Sequence, residues 1–328
     1  MFDLATIARR AATLALVTIG LLALGPAAAT AATVGVEGDT LVYRAAPGEG
    51  NALTARYAQA FGDSGSPQGP RFYFFQQGGG PGDEEIRAAL GRGCEVEPGA
   101  SDDRYIRCSS AGVSRVLFDM GDGDDSLSWD YETEESQPGS ETSLPAAETV
   151  RGGTGDDDLF GHRGSRSSVI YGGGGKDAIR DATTGRGGEG NDRLEGRFGS
   201  ASTLYGEGGR DQLLGNETDY IQLDGRGPRV YVGPLRAYAG PGKDSVSGGR
   251  FADRLNGGAG NDRMAGGRGR DRLIGGSGND SIASDEQYEG VGRRARDKVA
   301  CGRGRDRVFA DRLDRHGGCE RVFPRRGR

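Results

Sequence analysis

The chain has 328 residues, 62 of them glycine, with 34% hydrophobic and 7% aromatic residues and a formal charge of −6 from 42 Lys and Arg against 48 Asp and Glu. A conventional globular core of that length needs more apolar residues. The near balance of charge argues against a nucleic-acid footprint or a strongly acidic tail, and the basic end at Arg325, Arg326 and Arg328 reads as a solvated terminus.

Residues 1–31 read as a secretory signal peptide, with Arg9 and Arg10, an apolar run from Ala11 to Leu24, Pro26 and then Ala29-Thr30-Ala31. Cleavage is expected after Ala31 or Ala32. The apolar run is shorter than the roughly twenty residues of a membrane span, so the mature chain is expected to be secreted, extracellular, monomeric and without a membrane span.

Residues 32–118 are expected to form a small β module. Strand-like runs lie at 40–44, 71–76, 94–108 and 116–119, separated by Gly, Pro and Ser clusters. Four cysteines allow three connectivities. Sequence proximity and the expected export favour Cys94–Cys108, clamping a hairpin, and Cys301–Cys319, stapling the far end. Zinc is disfavoured, because no CxxC occurs and His162 and His316 are far from ligand spacing.

From Gly121 a glycine-aspartate pattern begins: GDGDDSL with Asp125, GGTGDDDL with Asp157, GGGGKDAI with Asp177, GGEGNDRL with Asp192 and GEGGRDQL with Asp211. The intervening segments keep glycines but lose the aspartate, so one edge is expected to bind metal while the other is degraded. Residues 128–150, rich in Ser, Thr and Glu, look like a looped insertion. Residues 214–238 carry Tyr220, Tyr231 and Tyr238 and read as strands that continue the roll without ligands.

Residues 239–283 then fall without a gap into nine-residue units: AGPGKDSVS, GGRFADRLN, GGAGNDRMA, GGRGRDRLI and GGSGNDSIA. Position six is always aspartate (Asp244, Asp253, Asp262, Asp271, Asp280) and position eight always apolar (Val246, Leu255, Met264, Leu273, Ile282). Glycine permits tight turning and close backbone approach, so GGxGx is expected to be a loop and the following xUx triplet a strand with one inward side chain. Two units make a coil. Asp244, Asp262 and Asp280 should therefore line one edge and Asp253 and Asp271 the other. After residue 283 the phase breaks, resuming at Asp297 and at CGRGRDRV with Asp306, and DRLDRHGGCERV is expected to cap the end.

These units follow GGxGxDxUx, and the chain resembles the RTX (repeats-in-toxin, haemolysin-type) calcium-binding proteins secreted by bacteria. The resemblance implies an all-β fold, a right-handed parallel β-roll or β-solenoid over 119–283, with degenerate repeats and a cap over 284–328. It implies Ca²⁺ as the bound ion. The eleven aspartates named above, from Asp125 to Asp280 together with Asp306 but without Asp297, would be carboxylate ligands. The loop glycines would supply carbonyl oxygens: Gly153, Gly155, Gly188, Gly190, Gly258, Gly260, Gly267, Gly269, Gly276 and Gly278. Hard oxygen ligands suit Ca²⁺ better than Mg²⁺, and affinity is expected on the order of 10⁻⁴ to 10⁻³ M, as in extracellular modules.

Gly62-Asp63-Ser64-Gly65-Ser66 resembles the nucleophile segment of chymotrypsin-like proteases, but both histidines follow it and the setting is a Gly/Ser turn. No HExxH, GxSxG or GxxxxGK[ST] occurs. The expected function is therefore non-enzymatic: calcium-dependent folding outside the cell in a structural or adhesive role, with a cell-surface, glycan or protein ligand and no nucleic acid. The alternative is a carbohydrate-active lyase or epimerase on a calcium-binding solenoid.

Overall fold

The computed structural model describes residues 32–48, 50–58, 72–77, 89–98, 104–129, 146–197, 200–215, 233–284 and 295–324. The expected signal peptide, the GDSGS segment, Tyr220 and Tyr231 lie outside them. No helix among the described residues is long and apolar enough to cross a membrane.

Each repeat contributes one strand, and successive strands alternate between two sheets. Leu235–Gly242, Arg254–Gly260, Arg272–Ser277 and Lys298–Arg303 are neighbours in a 13-stranded sheet. Ser245–Gly249, Arg263–Gly267, Ser281–Ala283 and Arg307–Ala310 are neighbours in a 14-stranded one. All these pairings are parallel, with Leu255 opposite Leu273 and Met264 opposite Ile282. Two units return the chain to the same sheet, so each strand pairs with its counterpart in the next coil rather than with its sequence neighbour. Alternate side chains of each strand point inward, as period two requires, with a single large apolar one in most of the repeat strands. Ile170, Leu204 and Leu273 from one sheet and Ile179, Leu213 and Ile282 from the other are fully buried.

The glycines differ from their expected role as loop residues outside the strands. Pairing runs on through them, with Gly240 opposite Gly258 and Gly258 opposite Gly276, so the strands of the first sheet reach six to eight residues. Without a Cβ, successive backbones stay close enough to continue hydrogen bonding past the apolar residue. The turn itself is the short segment that ends on the aspartate, such as Asn261–Asp262.

The roll starts earlier than the 118/119 line drawn from the sequence. That line falls inside the strand Arg115–Asp119. Thr40–Arg44 pairs parallel with Arg115–Asp119, and Ala52–Ala58 pairs parallel with Ser126–Trp129. Leu41, Leu53, Phe118 and Leu127 share one core with the repeats. Beyond this first coil the pairing turns antiparallel, through Thr33–Glu37 on one sheet and Phe72–Gln77, Arg104–Ser109 and Cys94–Pro98 on the other. This closes the parallel edge, which would otherwise be open to pairing with another chain.

Two further boundaries are corrected. Ser128–Trp129 and Ala147–Val150, assigned by composition to the insertion, belong to strands, and only 130–145 lies outside the described residues. Composition misleads there because Glu148 points inward and is fully buried, as is Val150. The closing segment, expected to cap the roll, forms its last coil: Arg315–Gly317 pairs with Lys298–Arg303, and Arg321–Pro324 with Arg307–Ala310. Both expected disulfides, Cys94–Cys108 and Cys301–Cys319, are present, and the second ties this coil to the one before it.

Candidate metal centre

The aspartates form a column along the first edge of the roll. The backbone N–H of Asp125 donates to Oδ1 of Asp157, Asp157 to Asp177, Asp177 to Asp192, Asp192 to Asp211, Asp211 to Asp244, Asp244 to Asp262, Asp262 to Asp280 and Asp280 to Asp306, all at 2.8–3.0 Å. The irregular spacing of the early repeats therefore leaves the column intact. In chain order the segments 130–145, 216–232 and 285–294 each follow a strand of the second sheet and precede one of the first, so none interrupts the sequence between a first-sheet strand and the aspartate that follows it.

Oδ1 of each carboxylate is thus engaged. Oδ2 is not: in Asp125, Asp157, Asp177, Asp192, Asp211, Asp244, Asp253, Asp262, Asp271, Asp280 and Asp306 it is buried with no hydrogen-bond partner. None of these residues is more than 2% exposed. Orphaned buried carboxylate oxygens are costly unless a cation or a proton meets them. For Asp157, Asp177, Asp192, Asp211, Asp253, Asp262 and Asp280, Oδ2 shares a glycine gap with a carbonyl oxygen of the next coil. At Gly257, an added Cβ would lie 2.5 Å from Asp262 Oδ2 and 2.7 Å from the carbonyl oxygen of Gly275 in the next coil. The missing side chain of the first glycine is therefore the gap on which carboxylate and carbonyl converge.

The expected carbonyl-donor glycines, at positions two and four, have a different constraint. Gly153, Gly155, Gly188, Gly190, Gly258, Gly260, Gly267, Gly269, Gly276 and Gly278 all have φ between 86° and 146°, which L side chains rarely adopt. Among the described residues, no group of three or more His, Cys, Asp or Glu side chains is placed to hold a metal ion by itself. Any metal held here must therefore take much of its coordination from backbone oxygens, which favours a hard cation such as Ca²⁺.

The second edge differs along its length. In the later coils Leu235 N–H donates to Asp253, Asp253 to Asp271, Asp271 to Asp297 and Asp297 to Asp314, at 2.8–3.0 Å. In the earlier coils this edge holds a buried polar cluster instead. Glu148 accepts hydrogen bonds from Trp129 Nε1 at 3.0 Å and from the His162 N–H at 2.9 Å. Arg197 donates to the backbone oxygens of Arg163 and Ser165. The degraded edge expected from the sequence is thus filled by side chains.

Burial dominates the electrostatics. It raises the carboxyls of Asp157, Asp177, Asp211 and Asp253 to about 7, and those of Asp125, Asp262 and Asp280 to about 6. Asp192 and Asp244 are raised for the same reason. Glu148 is pushed up to about 7 by burial, and His162 is pushed down to about 4 by burial and the Arg197 charge.

Four rungs are absent from the set of ligands expected from the sequence. Asn51 donates its backbone N–H to Asp125 Oδ1 and begins the first column; Glu320 accepts from Asp306 N–H and ends it. Asp297 and Asp314 extend the second. Three of these fit a simpler signal than the glycine pattern: a polar or acidic residue two positions before an apolar one, as in Asn51-Ala52-Leu53, Asp297-Lys298-Val299 and Glu320-Arg321-Val322. An outer ladder also joins the residues just before the aspartates. Asn279 N–H donates to Asn261 Oδ1 at 2.7 Å and Arg305 N–H to Asn279 Oδ1 at 2.8 Å.

Residues 186–219, 238–273 and 257–287 match the family of the RTX calcium-binding nonapeptide repeat (4 copies). No curated protein matches the chain.

Proposed function

We propose that this chain, which carries RTX calcium-binding nonapeptide repeats on a parallel β-roll, is an exported, non-enzymatic protein that folds on binding Ca²⁺ outside the cell and serves a structural or adhesive role. The observation that carries the reading is the column of buried Oδ2 atoms without a hydrogen-bond partner, seven of which (Asp157, Asp177, Asp192, Asp211, Asp253, Asp262 and Asp280) share a glycine gap with a carbonyl oxygen of the neighbouring coil. Position-six aspartates would supply the carboxylate oxygens, and the glycine segments the carbonyls. Ca²⁺ accepts six to eight oxygens in flexible geometry, whereas Mg²⁺ demands a tight octahedron and retains water. One apolar side chain per strand is a thin core against the entropy of ordering a glycine-rich chain, so neutralising the carboxylates couples metal binding to folding.

Export is supported by the two disulfides, which persist in oxidising surroundings, and by the signal-like residues 1–31. The non-enzymatic reading is supported by how the ionisable groups are used. The aspartates are buried in the columns, and Glu148 and His162 are buried and hydrogen-bonded. The test is a calcium titration of the mature chain followed by far-UV circular dichroism, with Mg²⁺ as control. A cooperative gain of β-structure specific to Ca²⁺ is expected. A chain already fully β-structured in chelator and unchanged by Ca²⁺ would overturn the reading.

A further inference from the structure

On the first sheet, one outward-facing position carries a cation in five consecutive coils. Arg236 stands opposite Arg254, Arg254 opposite Arg272, Arg272 opposite Lys298 and Lys298 opposite Arg315. All five are exposed. Parallel strands lie about 4.8 Å apart, so these side chains make a straight row with one positive charge per strand. In the four preceding coils the same position holds Thr149, Val169, Thr184 and Thr203, so the row is not an automatic product of the repeat. None of the five pairs with an acid among the described residues, although Arg180, Arg186 and Arg193 do, with Asp158, Glu207 and Glu195. Like charges on directly opposed strand positions repel. An anion lying along the row would relieve that repulsion.

Two residues along the same strands, on the same face, runs a second row: Tyr171, Arg186, Tyr205 and Tyr238 in consecutive coils. The rings of Tyr205 and Tyr238 stack with centroids 5.2 Å apart, and the Arg186 guanidinium lies 4.4 Å over Tyr205. Tyr171 and Tyr238 are each 40% exposed. The strand Leu235–Gly242 bears both Arg236 and Tyr238, so the two rows meet on one coil and form a single track.

We infer that this face binds an acidic polysaccharide, a linear polymer with one carboxylate per sugar ring. Sugars of a 1,4-linked hexuronate alternate in orientation, and two of them span about two strand spacings, so alternate carboxylates meet alternate cations from Arg236 to Arg315, while on the earlier coils the C–H faces of the sugars lie on the rings of Tyr171, Tyr205 and Tyr238. Duplex nucleic acid fits poorly: it carries one charge per about 1.7 Å of axis and winds its phosphates around a helix, so a straight row meets only a short stretch of them. The inference rests on the calcium reading for its charge balance, because metal on the buried aspartates leaves the outer cations dominant. The row itself is present in any folded form of the roll.

The test uses the full chain in Ca²⁺, its fold checked by circular dichroism, titrated with oligogalacturonates too short to gel, with their methyl esters, and with duplex DNA. Binding of the acid is expected, weakened by salt, with none to the neutral ester. Arg254→Glu combined with Arg272→Glu should weaken it about tenfold or more, and Arg263→Glu, on the other sheet, less than about twofold. If the charge-reversed variant does not fold, Arg254→Gln with Arg272→Gln removes the charges more gently and should weaken binding in the same direction. Equal affinity for acid and ester, tighter binding to DNA, or a folded variant of either kind with parental affinity would each overturn the inference. A folded roll indifferent to the acid sinks this inference alone. A roll that needs no Ca²⁺ sinks the calcium reading, and the sugar titration still decides this one.

Discussion

Oδ1 of Asp280 accepts the backbone N–H of Asp262 at 2.9 Å across one coil, while Oδ2 of the same carboxylate is buried with no partner. The two oxygens have separate duties, and substitution can separate them. Asp280→Asn keeps an oxygen for the Asp262 N–H and places an amide N–H in the Gly275 gap that Oδ2 shares with Cys301 O. Asp280→Ala removes both. The Asn variant should lose as much bound Ca²⁺ as the Ala variant, yet resist urea better in chelator by about 1 kcal/mol, the worth of an ordinary hydrogen bond. Metal content and urea midpoints check this. Parental metal content in the Asn variant would show that Oδ2 is no ligand.

The pH dependence has opposite signs with and without metal. Burial raises the carboxyls of Asp157, Asp177 and Asp211 to about 7, whereas unfolded aspartate titrates near 3.9. Between those values the metal-free roll binds protons that the unfolded chain does not. Its stability is therefore fullest below the unfolded value and is lost as pH rises through the folded one. Ca²⁺ competes with the same protons, so its affinity should rise over that window. In chelator, circular dichroism should show more β-structure at about pH 5 than at about pH 8, while the calcium midpoint moves to lower concentration. A metal-free spectrum flat across this range would mean that the folded carboxylates are not raised by burial.

Gly257 and Gly174 distinguish close approach from general glycine flexibility. Neither has positive φ. A Cβ on Gly257 would press on Asp262 Oδ2 and Gly275 O, whereas one on Gly174 would meet nothing within 4 Å. Gly257→Ala should destabilise the calcium-loaded roll by about 1–3 kcal/mol, as overpacking does, and raise the calcium midpoint. Gly174→Ala should be near neutral or slightly stabilising, because it restricts the unfolded chain. Similar losses in both would place the cost in backbone freedom rather than in the gap.

The roll, its coil length and the two aspartate edges were legible because Asp and an apolar residue hold a fixed phase over 239–283, with Asp262 eighteen residues from both Asp244 and Asp280. What escaped lies where side-chain identity stops marking position. Glu320 and Asn51 occupy aspartate rungs without the glycines that announce them. Glu148 sits in an acidic stretch that reads as solvated, yet it is buried against Trp129 and His162. Of the cation row, Arg236, Arg254 and Arg272 keep the eighteen-residue spacing, whereas Lys298 and Arg315 join it through coils of other lengths and are placed only by strand pairing.

The second edge suggests where calcium is dispensable. In the early coils the carbonyl oxygens of Arg163 and Ser165 are met by the guanidinium of Arg197, a cation that chelator does not remove. Glu148 accepts from Trp129 and His162 in the same cluster, and Phe118 and Trp129 thicken the core there. In the later coils the same edge depends on Asp253, Asp271 and Asp297. In chelator, amide hydrogen exchange should therefore stay slow in Ala147–Thr154 and Ser167–Gly174 while becoming fast in Arg254–Gly260 and Arg272–Ser277. Arg197→Met keeps the length of the side chain but strands the buried carbonyl oxygen of Ser165, at about 1–3 kcal/mol for an unsatisfied group. It should bring the early strands to the exchange rate of the late ones in chelator, with a smaller effect in Ca²⁺. Uniform loss of protection across all four strands in the parent chain would show that the buried cluster does not replace the metal.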